Sequence, residues 1–439
     1  MLIPKLFSAL LIFLILSFSQ CLVFGQQENQ KPEEEIKKLK EKVAELEKTI
    51  AGMKDQKGAE DESDLEKELA QELGMAASQS ESPQKTQQSI SQETLSARRT
   101  FFQNMNPNIS VIGTIIGHAN TRSELERNVD LSFDEGEFSF QAAVDPFAKA
   151  SFFITFVKEE EAALNPVGEE EGGEEGLNPE VEEAFITILS LPFSTQLKAG
   201  KFRSKFGKIN ETHPHAYNFI GVPQMYANFF GTEGLGDEGA SLSWLLPNQV
   251  FFQELTFQVT AGPGENSSFT RAANNRLLYL AHLKNFFDIT ENTTLELGFT
   301  GLTGPNNEAG DATNMLAADL TLKWKPLQNR SQSFEFMSEF LISKYNGVTA
   351  NVTSFGFYSN LRYQVAKRWF IGGLFDYSEY PQFSKFNHKA YSGILQFFTT
   401  EFQKFEIQYK YNDPNFIDSF SEIKLRSVFV IGAHGAHQY

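Results

Sequence analysis

The sequence predicts an all-β chain, a membrane-spanning antiparallel β-barrel of about sixteen strands preceded by a short α-helical coiled coil. Three observations lead there. Beyond Asn106 apolar and polar residues alternate with period two. The polar face carries charges along whole strands while aromatic residues gather near strand ends. The links between strands alternate between short and long.

The alternation is clearest where Leu316, Ala318, Leu320, Leu322 and Trp324 oppose Ala317, Asp319, Thr321, Lys323 and Lys325. Phe405, Ile407, Tyr409 and Tyr411 oppose Glu406, Gln408 and Lys410 in the same way, and Leu295, Leu297 and Phe299 oppose Glu296 and Thr300. A soluble sandwich could share this period. Aromatics at strand ends (Trp244, Phe251, Phe252, Trp324, Trp369, Phe370) favour the interfacial girdles of a bilayer barrel.

Reading from Asn108, the short links are "DPFA", "LPFS", "LPNQ", "FFDITEN", "KPLQNRSQ", "AKR" and "TEFQ". The long ones are "NTRSELERNVDLSFDEGE", "KEEEAALNPVGEEEGGEEGLNPE", the stretch after Arg203, "GPGENSSFTRAANN", "GPNNEAGDATN", "NGVTANVT", "SEYPQFSKFNHK" and "NDPNFIDSFS". An even strand count puts both termini on the periplasmic side of an outer membrane. Closure leaves no unpaired sheet edge, as hydrocarbon requires, and about sixteen strands enclose an aqueous channel.

Residues ahead of the barrel assign the compartment and a stalk. Lys5, the apolar run "LFSALLIFLILSF", and Val23 and Gly25 before the cut describe a signal peptide over residues 1–25. Acylation at Cys21 is the alternative, although Gln20 is not the small residue that such a site wants. Cys21 is the single cysteine, so the mature chain has no disulfide and no thiolate chemistry. Residues 26–76 form the stalk. Ile36, Leu39, Val43, Leu46, Ile50 and Met53 recur in three- and four-residue steps. That is a short heptad seam for self-association, or else one amphipathic helix lying on its own barrel. "SDLE" at Ser63 is a capping box for a second helix with Leu65, Leu69 and Leu73. Ser- and Gln-rich residues 77–106 are a linker.

Among 439 residues the net charge is -18, which argues against nucleic acid as a partner. After the signal peptide no apolar run approaches the roughly 18 residues of a spanning helix. No G-x-S-x-G, H-E-x-x-H or phosphate-cradling motif occurs, so an enzyme is not expected.

The candidate site lies in the third long loop, residues 207–238. Tyr217, Phe219, Tyr226, Phe229 and Phe230 would pack it on the wall as a constriction, with Pro214 and Pro223 fitting a folded loop. Lys198, Lys201, Arg203, Lys205 and Lys208 form a basic row in an acidic protein. They line the channel and attract anions, or they pair with nearby glutamates and hold the loop down. Strict alternation puts Lys198 on the opposite face from Lys201, Arg203 and Lys205, so aligning them needs a bulge near Gly200. In "ETHPH", His213 and His215, with Glu211, are candidate zinc ligands. The competing reading is structural hydrogen bonding. His434 and His437 are a separate pair at the opposite end.

"FQAAVDPFAKASFFITF", "VEEAFITI", "LKAGKFRSKFGKINETHPHAYNF", "NFFGTEGLGDEGASLSWLLP" and the terminal "GAHGAHQY" resemble a group of bacterial proteins often labelled zinc-regulated TonB-dependent outer-membrane receptors. The overall plan looks like that of the phosphate-selective porins. That resemblance implies a trimer of sixteen-stranded barrels with an N-terminal coiled coil and basic lumen residues. A receptor of the TonB-dependent kind has about 22 strands and a plug, and the segment before Asn108 has no globular core to serve as one. The expected function is therefore passive diffusion of small hydrophilic solutes through the outer membrane of a Gram-negative bacterium, by a homo-oligomer embedded in lipid with its stalk in the periplasm. Zinc-related uptake through His213 and His215, and a structural tether, are the alternatives.

Overall fold

The computed structural model describes residues 107–432 apart from 123–128, 159–165, 167–176, 263–265, 272–275, 329–330 and 348–350. The signal peptide, the stalk, the linker and both terminal histidines lie outside the described residues.

Sixteen strands follow in chain order: β1 (Asn108–Asn120), β2 (Val129–Asp145), β3 (Ala148–Lys158), β4 (Leu177–Leu191), β5 (Thr195–Arg203), β6 (Gly236–Leu245), β7 (Phe252–Thr260) and β8 (Leu278–Thr290). The second half comprises β9 (Thr293–Pro305), β10 (Ala312–Trp324), β11 (Phe334–Asn346), β12 (Asn351–Ala366), β13 (Trp369–Tyr380), β14 (Phe383–Thr400), β15 (Gln403–Pro414) and β16 (Phe420–Gly432). Each pairs antiparallel with its sequence neighbours, and β1 pairs β16 from Ser110↔Gly432 to Asn120↔Glu422. Every strand therefore has two partners, and the backbone has no open edge to present to hydrocarbon.

Side-chain alternation is inverted relative to a soluble protein. Glu137, Glu339, Asp376, Asn360, Asn412 and Arg426 are buried, whereas Leu316, Phe299, Phe405, Ile407, Tyr409 and Leu425 stand exposed on the outer wall. An apolar face running round the barrel is what lipid solvates, and a monomer in water would not carry it. No helix among the described residues is long and apolar enough to cross a membrane; the strands provide the crossing.

The seven short links fall where the sequence placed them, although most of "FFDITEN" joins β8 and leaves only residues 291–292, and exposed apolar side chains stand at five of them. Phe147 and Phe193 are exposed there, the latter at φ 63° in the turn Pro192–Ser194. Trp369 stacks obliquely on Phe397 with centroids 4.5 Å apart. Phe370 departs from the expected girdle, since it lies 4.0 Å beneath the Arg362 guanidinium.

Several long links are shorter than expected, two of them most of all. β2 begins at Val129 and absorbs "VDLSFDEGE", because a register shift opposite Thr114 and Ile115 lets Phe133 and Glu135 both keep their preferred sides. β13 and β14 run to Tyr380 and from Phe383, leaving only residues 381–382 between them. No bulge occurs at Gly200. β5 pairs β6 without interruption from Thr195 to Arg203, and Gly200 instead takes φ 135°, where a Cβ would run into the Ala184 carbonyl.

Candidate functional site

Residues 204–235, between β5 and β6, do not extend away from the barrel; they fold into it. Asn210 closes the neck of the loop. Its Nδ2 donates to the carbonyls of Ser204 and Leu235, both at 2.7 Å, and its Oδ1 accepts from the Leu235 N–H at 2.8 Å. Gly234 at φ 73° admits this side chain, and Gly207 at φ 57° lets the backbone pass against the Glu339 carboxylate. The stretch is less irregular than its composition suggests, because Gln224–Phe230 form a helix, α1, that starts after Pro223 and stops at Gly231, φ 86°. Six of its seven residues are buried, so α1 is enclosed all round, with Asn228 its one buried polar side chain.

The expected constriction aromatics Tyr217, Phe219, Tyr226, Phe229 and Phe230 are all buried, none more than 5% exposed. With Phe206, Ile209 and Met225 they form one cluster with wall residues Leu278, Leu280, Leu302, Met315, Leu341, Tyr358, Leu374 and Ile394. Phe206 meets Phe230 edge-on at 4.9 Å. The lumen thus has a dry sector on β8 to β14, built from inward positions where the alternation would otherwise place polar groups.

Polar anchors hold the remaining circumference. Glu339, 1% exposed, accepts from the hydroxyls of Tyr226 (2.7 Å) and Tyr358 (2.6 Å) and from the N–H of Ile209 (2.9 Å). Arg426 donates to the carbonyls of Pro214 (3.0 Å), Tyr217 (3.1 Å) and Phe219 (2.9 Å), while its Nε bonds Glu406. Gln408 takes the Ile220 N–H at 2.8 Å, and Gln258 takes that of Lys205 at 2.9 Å. A backbone with no ladder of its own is thereby satisfied by side chains of the wall.

Each of the five basic residues faces a carboxylate. Lys201 reaches Glu180 at 2.9 Å and Lys208 reaches Glu296 at 2.9 Å; Arg203 lies on Glu182 and Lys205 on Glu254. Lys198 stands 4.0 Å from Glu211 and lies over the Phe185 ring. Burial acts against charge on Lys205, yet the carboxylates of Glu211 and Glu254 hold its pKa above the usual lysine value.

His213 and His215 are buried against β2. His213 hydrogen-bonds Glu137 through Nδ1 (2.5 Å) and Glu183 through Nε2 (2.9 Å). Burial would lower its pKa, but Glu182, Glu137 and Glu183 raise it well above the usual histidine value. His215 Nδ1 lies 3.7 Å from both Glu135 Oε1 and Glu137 Oε2. Donor atoms of Glu137, His213 and His215 come within 4.8 Å of one another. Glu211, the carboxylate expected beside them, turns to the lysines instead: burial raises its pKa, and Lys205 and Lys198 lower it by more.

Comparison with known proteins places this architecture. A barrel of the same kind is seen in OprB of Pseudomonas putida, with TM-score 0.54 at 10% identity over 76% of this chain and 96% of that one. OmpF of Salmonella typhi gives 0.50 at 10% identity over 75% and 99%. The fold is that of the outer-membrane porins. An uncharacterized protein of Aquifex aeolicus is 28% identical over 366 residues, 74% of this chain and 72% of its own length. No family model matches the sequence.

The pattern of residues alone did not single out Glu137, Glu183, Glu339 or Arg426. Glu339 had a readable signal, an acid among the inward residues of β11 between Met337 and Leu341. Glu137 was concealed by the bulge, which made the start of β2 look like loop.

Proposed function

We propose that this protein is an outer-membrane channel of the porin type, through which small hydrophilic solutes diffuse passively between the wall and the inward loop. The observation that carries this reading is a closed sixteen-stranded barrel, apolar outside and charged inside, whose longest described loop lies in the lumen. In this reading the barrel sits in the outer membrane of a Gram-negative bacterium, the heptad seam of residues 36–53 helps three copies associate, and the stalk occupies the periplasm.

Selectivity follows from the basic row and its partners. Because Lys198, Lys201, Arg203, Lys205 and Lys208 each face a glutamate, they hold the loop and its strand in place and contribute little net positive field. This speaks against a free phosphate site at the row and for a weak ion preference. His213 and His215 are buried between the loop and the wall, which disfavours capture of zinc from the medium as the main activity.

The test is the reversal potential in planar bilayers under a salt gradient, for wild type and for Lys201, Arg203 and Lys205 changed together to alanine. The expected outcome is a weakly selective wild-type channel and a triple variant shifted toward cations, because the glutamates lose their partners. Strong anion preference that vanishes in the variant would contradict the paired row and support the phosphate-selective type.

A further inference from the structure

We infer that Glu137, His213 and His215 form a binding site for one divalent ion of the zinc class, which pins the inward loop to the barrel wall.

The loop brings two imidazoles to the wall, and β2 supplies the carboxylate between them. All three residues are buried, and their donor atoms lie within 4.8 Å of one another. Zinc–nitrogen and zinc–oxygen bonds of about 2.0–2.2 Å in a tetrahedron space neighbouring ligands roughly 3.4 Å apart. The separations of Glu137 Oε2 from His213 Nδ1 (2.5 Å) and from His215 Nδ1 (3.7 Å) bracket that value. An ion would therefore replace the proton now shared between His213 and Glu137, with small movements of the rings.

Two further features point to a ligand. Glu137 is fully buried, yet its Oε1 has no hydrogen-bond partner among the described residues, an expensive arrangement for a carboxylate in a low-dielectric site. On its far side, His213 Nε2 hydrogen-bonds Glu183 Oε2 at 2.9 Å. A carboxylate behind a ligating histidine fixes its tautomer and raises its basicity, the usual outer shell of such sites. Glu135 Oε1, 3.7 Å from His215 Nδ1, is in reach as a fourth ligand. A cavity of about 40 Å³ beside it, lined by Glu135, Glu182, Arg203 and Pro214 among others, has room for a water instead. Imidazole with carboxylate suits zinc, cobalt, nickel or copper, whereas magnesium and calcium prefer all-oxygen shells.

The role is structural. Without an ion, His213 ties residues 213–215 to β2 and β4 by charge-assisted hydrogen bonds; with one, His215 joins the same clamp. The inference concerns binding alone and does not depend on solute passage.

The experiment uses the full-length folded barrel in detergent, stripped with chelator and titrated with Zn²⁺ by calorimetry and with Co²⁺ by visible absorbance. One equivalent per chain is expected, with the intense visible bands of a tetrahedral cobalt site. His215→Gln should weaken binding by at least about 100-fold, and Glu183→Gln, behind the ligand, by about 10–100-fold with the spectrum retained. Folding of each variant is checked by heat-dependent gel mobility. Wild-type protein that is folded and takes up no stoichiometric ion would overturn the proposal, whichever variants fold. So would binding that both substitutions leave unchanged, since the ion would then sit elsewhere.

Discussion

At the scale of single residues, the inward loop depends on a few wall side chains that each satisfy several orphan backbone or hydroxyl groups. Glu339 is the clearest case, since Tyr226, Tyr358 and the Ile209 N–H all converge on its carboxylate. Glu339→Ala strands the Tyr358 hydroxyl and the Ile209 N–H, each worth about 1–3 kcal/mol when unmade, while Tyr226 keeps the Phe206 carbonyl. We expect it to free the loop rather than unfold the barrel, because the sheet ladder is untouched. Trypsin should then cut after Lys205 or Lys208 in folded variant protein and not in wild type. Protection equal to wild type would show that the aromatic cluster alone holds the loop. Arg426 plays a parallel part on β16, and its Glu406 partner keeps its charge from being isolated.

At the scale of elements, the strands were legible because period-two patterning is set locally by which face each residue must solvate. β9, β10 and β15 emerge with the same outward sets that alternation assigns, Leu295, Leu297 and Phe299 among them. The seven short links were legible for the same reason: turn residues interrupt the period abruptly. The start of β2 was not, because one extra residue reverses every side chain after it and conceals Glu135 and Glu137. Nor could sequence spacing pair His213 with Glu137, 76 positions away on β2. Such contacts depend on closure of the barrel, which no local pattern reports. The outward set makes its own prediction. Phe299→Lys, midway along β9, should cost about 2–4 kcal/mol in a bilayer, read as a lower urea midpoint, while Phe299→Leu should be nearly neutral. Equal midpoints would mean that this face does not meet lipid.

At the scale of the whole molecule, closure and filling are separate achievements of the sequence. Sixteen paired strands give a wall that needs nothing inside it to satisfy its backbone. Residues 204–235 then occupy the lumen, with an aromatic sector on β8 to β14 and polar anchors from β2, β4, β7, β15 and β16. In the proposed channel the loop is therefore the part that would set what passes. The barrel fixes only the outer limit. The central claim is tested most directly by single-channel conductance in a planar bilayer. Wild type is compared with a variant in which residues 211–233 are replaced by a short glycine–serine linker, both verified as folded barrels. The account predicts small, stepwise conductance for wild type and a several-fold increase for the variant. Equal conductance in the two, or none in either, would contradict it.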